Sequence, residues 1–138
     1  MLPSSFSVRK IGLSEMEEEP NFCDLVAEYS EMAIEGLPKP NWQPEIYKNL
    51  EKTGNFCFFG AFDDSGLIGF ASLIHSISAH YGILIGNVET LFVGKEKRRG
   101  GVGLRLKKAV EDYAREVGCA FIFFSVPLNG SRIHSSMN

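Results

Sequence analysis

The stretch from Val88 to Leu104 constrains this chain more than any other. It predicts a β-strand to Val93, a basic turn with glycine at Gly100, Gly101 and Gly103, and then an amphipathic helix. A strand, a glycine turn and a helix in that order form a cradle for a phosphate ester. The first N–H groups of a helix have no intrahelical acceptor and sit at the positive end of its dipole. Glycines let a ligand touch the main chain. Charge is sorted to match. Residues 13–51 hold ten acids against two bases, whereas residues 95–108 hold seven bases against one acid, Glu96. A basic run is commonly just a solvated face, but here it coincides with a turn already shaped for phosphate.

Spacing separates the glycine-loop classes. No G-x-x-x-x-G-K-[ST] string occurs, which excludes a Walker loop. The G-x-G-x-x-G dinucleotide fingerprint fails because Gly103 is followed by Leu104, Arg105 and Leu106. The next apolar strand, Ala120 to Phe124, also lacks the acid that would hold a ribose. What fits is Arg98-x-x-Gly101-x-Gly103. This resembles the (Q/R)-x-x-G-x-(G/A) motif of the GNAT N-acetyltransferase superfamily, and the likeness extends through the strand before it and the helix after it.

The chain has 138 residues with 44% hydrophobic content and net charge −3, which predicts one globular domain over residues 1–138. No apolar run reaches the length of a membrane span, and the first residues lack a signal-peptide pattern. Cys23, Cys57 and Cys119 lie in apolar runs and read as core thiols of a reducing compartment. His75 and His80 have no further ligands at metal spacing, so no metal is expected.

Phe6–Ile11 reads as a first strand. Pro20 opens a helix with Phe22, Leu25, Val26, Tyr29, Met32 and Ala33 on one stripe, stopped by the segment Gly36–Pro40. A shorter helix follows Trp42, with Ile46 and Leu50 inward and Gly54 at its end. Runs 55–62 and 67–77 form a hairpin about Asp63–Gly66. The strand Ile83–Val93 is interrupted at Gly86-Asn87, where a bulge is expected. The helix after the glycines buries Leu106, Val110, Tyr113, Ala114 and Val117, Gly118 caps it, and Cys119–Val126 is a buried strand. The order β, α, α, β, β, β, α, β predicts an α/β (α+β) fold, a mixed sheet with helices on both faces.

That order matches the GNAT fold through its fifth strand. The resemblance implies acetyl-CoA as cosubstrate, bound by the fourth strand and the loop after it. The main chain of Leu91, Phe92 and Val93 would run beside the pantetheine arm, with the Leu91 N–H donating to the thioester carbonyl. The N–H groups of Arg99, Gly100, Gly101, Val102, Gly103 and Leu104 would hold the pyrophosphate. Arg98, Arg99, Lys95 or Lys97 would meet the adenosine 3′-phosphate. Asn129 fits an asparagine that follows the fifth strand. Glu89 is the candidate catalytic base: it stands nine positions before Arg98, the spacing of the glutamate in spermidine/spermine acetyltransferases. Period-two alternation places Asn87, Glu89, Leu91 and Val93 on one side of the strand.

The family's tyrosine acid would fall at Ser135 or Ser136, where no tyrosine stands, so the acid is His134 of the same helix, water or no group at all; the family's last two strands are expected to be absent. The acceptor implied is a primary amine on a small molecule or a protein. Trp42 is either part of its wall or a hydrophobic anchor, and Glu15–Glu19 is either a solvated face or an acidic mouth. A second chain supplying the missing wall would make a homodimer. Two alternatives stand beside the enzyme reading: a catalytically inactive coenzyme A-binding sensor, and a nucleic-acid-binding domain built on residues 95–108. The acidic remainder disfavours the latter. The sequence also resembles phage-encoded acetyltransferases, which implies a bacterial cytoplasm.

Overall fold

The computed structural model describes residues 5–32, 38–128 and 131–136. In chain order these form β1 (Ser7–Ile11), α1 (Leu13–Glu17), α2 (Phe22–Ser30), α3 (Pro44–Thr53), β2 (Phe56–Asp63) and β3 (Gly66–Ser78). Then come β4 (Ile83–Val93), a 3-10 turn (Lys95–Gly100), α4 (Val102–Glu116), β5 (Phe121–Leu128) and β6 (Ser131–Ser136). The six strands lie in sequence order in one sheet. Pairing is antiparallel except between β4 and β5, which run parallel across the α4 crossover.

Helices cover both faces, as the hydrophobic periodicity requires. On one face Val102, Leu106, Val110 and Ala114 of α4 pack on Phe59, Leu73, Val88 and Ile122. On the other, Leu13, Met16, Phe22 and Leu25 of α1 and α2 pack on Phe58, Phe70 and Phe92. Trp42 belongs to this second core, its ring 5.5 Å from Phe22 and 4.8 Å from Tyr47, and so acts as an anchor between α2 and α3. Gly54 and Gly118 take the positive φ expected of helix ends, 79° and 95°. No helix among the described residues is long and apolar enough to cross a membrane.

Several local expectations are corrected. A short α1 precedes the first helix anticipated; its Leu13 and Met16 are buried, while Glu15 turns outward to Arg9 at 2.7 Å. In α3, Ile46 is 55% exposed, because the helix docks through Tyr47, whose ring lies 5.3 Å from both Phe56 and Phe58. Cys23 is exposed on α2; Cys57 and Cys119 are buried as expected.

Beyond β5 the chain makes a sixth strand, not a helix. Leu128 pairs with Ser131, and Phe123 with His134. Polar β6 carries no strand periodicity of its own, and it forms by main-chain pairing along the β5 edge. Its sequence signal was Asn129-Gly130, a strong hairpin dipeptide. Asn129, Ala33 and the helix stop at Gly36 lie outside the described residues.

Candidate active site

The expected bulge exists but lies elsewhere. Ser72 pairs with Thr90 and the next residue, Leu73, pairs with Val88, so Glu89 is the extra residue of β4. Gly86 and Asn87 pair regularly with His75 and Ile74. The glycine serves close packing instead: a Cβ on Gly86 would stand 3.1 Å from Leu73 and 3.4 Å from Cys119.

An inserted residue reverses side-chain parity beyond it. Before the bulge, Leu84 and Val88 face α4; after it, Leu91 and Val93 do. Phe92 and Thr90 face α2. Asn87, Glu89, Leu91 and Val93 therefore do not share one side. Glu89 sits instead with the α2–α3 layer, where its charge acts on the Tyr47 hydroxyl.

The main chain follows the same logic. The Gly94 N–H donates to Ile68 O at 2.9 Å, so Gly94, Phe92 and Thr90 turn their polar groups toward β3. Leu91 and Val93 turn theirs the opposite way, toward β5. Yet the β4–β5 ladder runs only from Ile85↔Phe121 to Val88↔Phe124. Beyond Val88, β4 presents an open edge on that side. The bulge thus coincides with the place where the two parallel strands part.

The turn beyond this edge is held from three directions. The Arg98 Nε donates to Val93 O at 2.8 Å, with the guanidinium 5.4 Å from the Phe92 ring centroid. The Lys95 N–H donates to the Glu28 carboxylate at 3.1 Å. The Lys97 ammonium meets Asp63 at 2.9 Å. Burial raises the Asp63 pKa, but hydrogen bonds from Ser65 and Lys97 more than offset it and leave it below the ordinary 3.8. Of the four bases expected near a phosphate, Arg98 and Lys97 are already tied to the protein. Arg99 and the Lys95 side chain have no hydrogen bond or ion pair with described residues and remain available.

Gly101 carries φ 79° and turns the chain into α4. The first helical bond runs from the Arg105 N–H to Gly101 O at 3.1 Å, leaving Val102, Gly103 and Leu104 N–H groups without helical acceptors. A Cβ at Gly100 or Gly101 would meet nothing within 4 Å, so the main chain there is bare to an approaching ligand. Leu104 is 74% exposed on the first turn of α4. An open strand edge leading to bare amides at a helix start suits a long thiol ester ending in a diphosphate.

Around Glu89 the structure gathers Tyr29, which the sequence had assigned to packing, with polar groups that the sequence had not singled out. Tyr29 OH and Thr90 Oγ1 are hydrogen-bonded at 3.2 Å. Ser72, opposite Thr90, keeps a buried Oγ with no partner among the described residues. Burial, with the nearby Tyr29 and Glu89, pushes the Tyr47 phenol up to about 12. Partial desolvation raises the Glu89 carboxyl above the ordinary 4.5, although the residue is exposed at its rim. That shift suits a group that takes up protons. Tyr29 had a helical-stripe signal, which read as core; only the fold brings it to Thr90.

A family model described as "Acetyltransferase (GNAT) family" matches residues 16–133. The chain belongs to the GNAT acetyltransferase family. Solved GNAT relatives share the fold at low identity. A ribosomal-protein-alanine N-acetyltransferase from Brucella melitensis biovar Abortus 2308 superposes with TM-score 0.68 at 20% identity, covering 89% of this chain and 81% of that one. A GNAT family acetyltransferase from Staphylococcus aureus gives 0.68 at 16% identity, covering 96% and 94%. An aminoglycoside acetyltransferase from an uncultured soil metagenomic sample gives 0.65 at 18%, covering 88% and 78%. No curated protein sequence matches the chain.

Proposed function

We propose that this GNAT protein is an acetyl-CoA-dependent N-acetyltransferase acting on a primary amine by direct attack while both substrates are bound. The observation that carries the reading is the parting of β4 from β5 after Val88↔Phe124, with the bulge at Glu89 turning the Leu91 and Val93 main chain into the gap. Acetyl-CoA supplies an activated acyl group on a thiol that leaves readily.

The chain's own residues divide the remaining tasks. The Leu91 N–H stands on the open edge as a donor for the thioester oxygen, an interaction worth roughly 3–4 kcal/mol where such donors have been removed from enzymes. Val93 offers its N–H there, its carbonyl being already taken by Arg98. Gly100 to Leu104 present the main-chain N–H groups for a diphosphate, and Arg99 and Lys95 supply charge beside them. Glu89 takes the proton that the amine must shed. Phe92, by contrast, has its side chain in the α2-side core and its main-chain polar groups in the β3 ladder, and so offers the arm no hydrogen bond.

The test is mass spectrometry of amines incubated with acetyl-CoA and the protein, alongside calorimetry with desulfo-CoA. Acetylated amine together with saturable binding supports the reading. Binding without transfer to any amine would leave a coenzyme A sensor, and absence of binding would remove both.

A further inference from the structure

The face of the sheet that carries Glu89 continues past α2 and α3 as an open apolar groove. Strand alternation sets Ile83, Ile85 and Asn87 opposite Leu84, Gly86 and Val88, which face α4. On β5, Phe121 and Phe123 likewise alternate with Ile122 and Phe124 of the α4 core. The pairs Ile85↔Phe121 and Asn87↔Phe123 then lay a continuous floor leading to Glu89. Tyr81 and Ser78 complete a concavity of about 580 Å³, the size of a small-molecule site rather than a flat protein contact. Among the described residues no charged side chain lines it, and Tyr81 is 72% exposed, Phe123 41% and Phe121 36%.

We propose that this groove is the subsite for the acceptor's tail, and that the acceptor is a primary amine bearing an aliphatic or aromatic chain. This rests on the acetyl-transfer reading above. The amine nitrogen lies at Glu89, the carboxylate at the head of the groove. The tail runs back over Ile85 and Phe121 toward Tyr81. Four residues of strand separate Ile85 from Glu89, about 13 Å, which a chain of about ten bonded atoms spans. A polycationic acceptor would lay its distal ammonium groups on this apolar floor, where no acid among the described residues answers them.

The test uses the full chain, acetyl-CoA and a homologous series from ethylamine to dodecylamine, with spermidine for contrast. Two readouts are taken: thiol release, and the Ile85 methyl resonances during titration with each amine. The expected result is kcat/KM rising about twofold to fourfold per methylene once the tail reaches the groove, Ile85 methyls shifting with dodecylamine, and spermidine trailing dodecylamine. Phe121→Ser, at the residue paired with Ile85, should lower kcat/KM for dodecylamine about tenfold, the loss shrinking as the tail shortens. A length-independent series, or methyls that respond to protein concentration instead of amine because a second copy covers the face, overturns the subsite. Methyl shifts with no turnover of any amine would keep the subsite and refute acetyl transfer. Turnover with a flat length dependence would do the reverse.

Discussion

Two neighbouring glycines separate the folding role of the turn from its binding role. Gly101 holds φ 79° and ψ 13°, a left-handed conformation, and a Cβ there would touch nothing within 4 Å. Gly101→Ala therefore adds no clash, and its cost is backbone strain alone, about 1–2 kcal/mol. In a chain of this size that lowers Tm by about 3–10 °C. Gly100 has no positive φ, and its Cβ position is also open. Gly100→Ala should leave stability unchanged or raise it by about 0.4–1 kcal/mol, through the smaller entropy of the unfolded chain.

Binding should show the opposite order of interest. If a diphosphate rests on the main chain from Gly100 onward, a methyl at Gly100 stands between them, and desulfo-CoA affinity should fall about tenfold, roughly 1.4 kcal/mol. Differential scanning calorimetry and isothermal titration on the same preparations read both quantities. A Gly100→Ala protein that melts like the parent and binds desulfo-CoA equally well would refute the main-chain cradle. A Gly101→Ala protein with unchanged Tm would refute the strain assignment.

Other outcomes follow from single residues. Glu89→Gln should slow acetyl transfer across pH 6–9 with little change in desulfo-CoA affinity, read by steady-state kinetics and calorimetry. The raised Glu89 pKa means that its charged form is disfavoured in the fold. The substitution should therefore raise Tm near pH 7, with the gain fading as pH falls through the folded pKa and gone below the ordinary 4.5. Gly69→Ala places a Cβ 2.7 Å from Phe92 O and 3.2 Å from Val93 Cα, backbone atoms that cannot step aside, and should cost about 2 kcal/mol or more in urea unfolding. Asp63→Asn removes the partner of Lys97 and should weaken desulfo-CoA binding through a looser turn; Asp63→Glu should recover part of it. In native protein a thiol reagent should label Cys23 alone. Cys57 is buried with its pKa raised to about 11, and Cys119 is buried with its pKa raised as well.

Local chemistry settled much of this protein. The order of residues between Val88 and Leu104 was enough for a strand, a bare-backbone turn and a helix, because φ preference, helix-end amides and apolar periodicity act over a few residues. The α4 stripe, the hairpin at Asp63–Gly66 and the mixed sheet between two helical layers were legible for the same reason. The face of the strand on which Glu89 lies was not. It depends on how many residues β3 sets against β4, and Ser72↔Thr90 followed by Leu73↔Val88 is a fact about a partner strand fifteen to eighteen residues away. Gly86 drew the bulge in sequence, yet its missing side chain makes room for Leu73 and Cys119. Tyr29 beside Thr90, Glu28 on the Lys95 N–H, Asp63 on Lys97 and the groove beyond Ile85 likewise join segments far apart in the chain. Such pairings follow from packing and register, which only the assembled sheet determines.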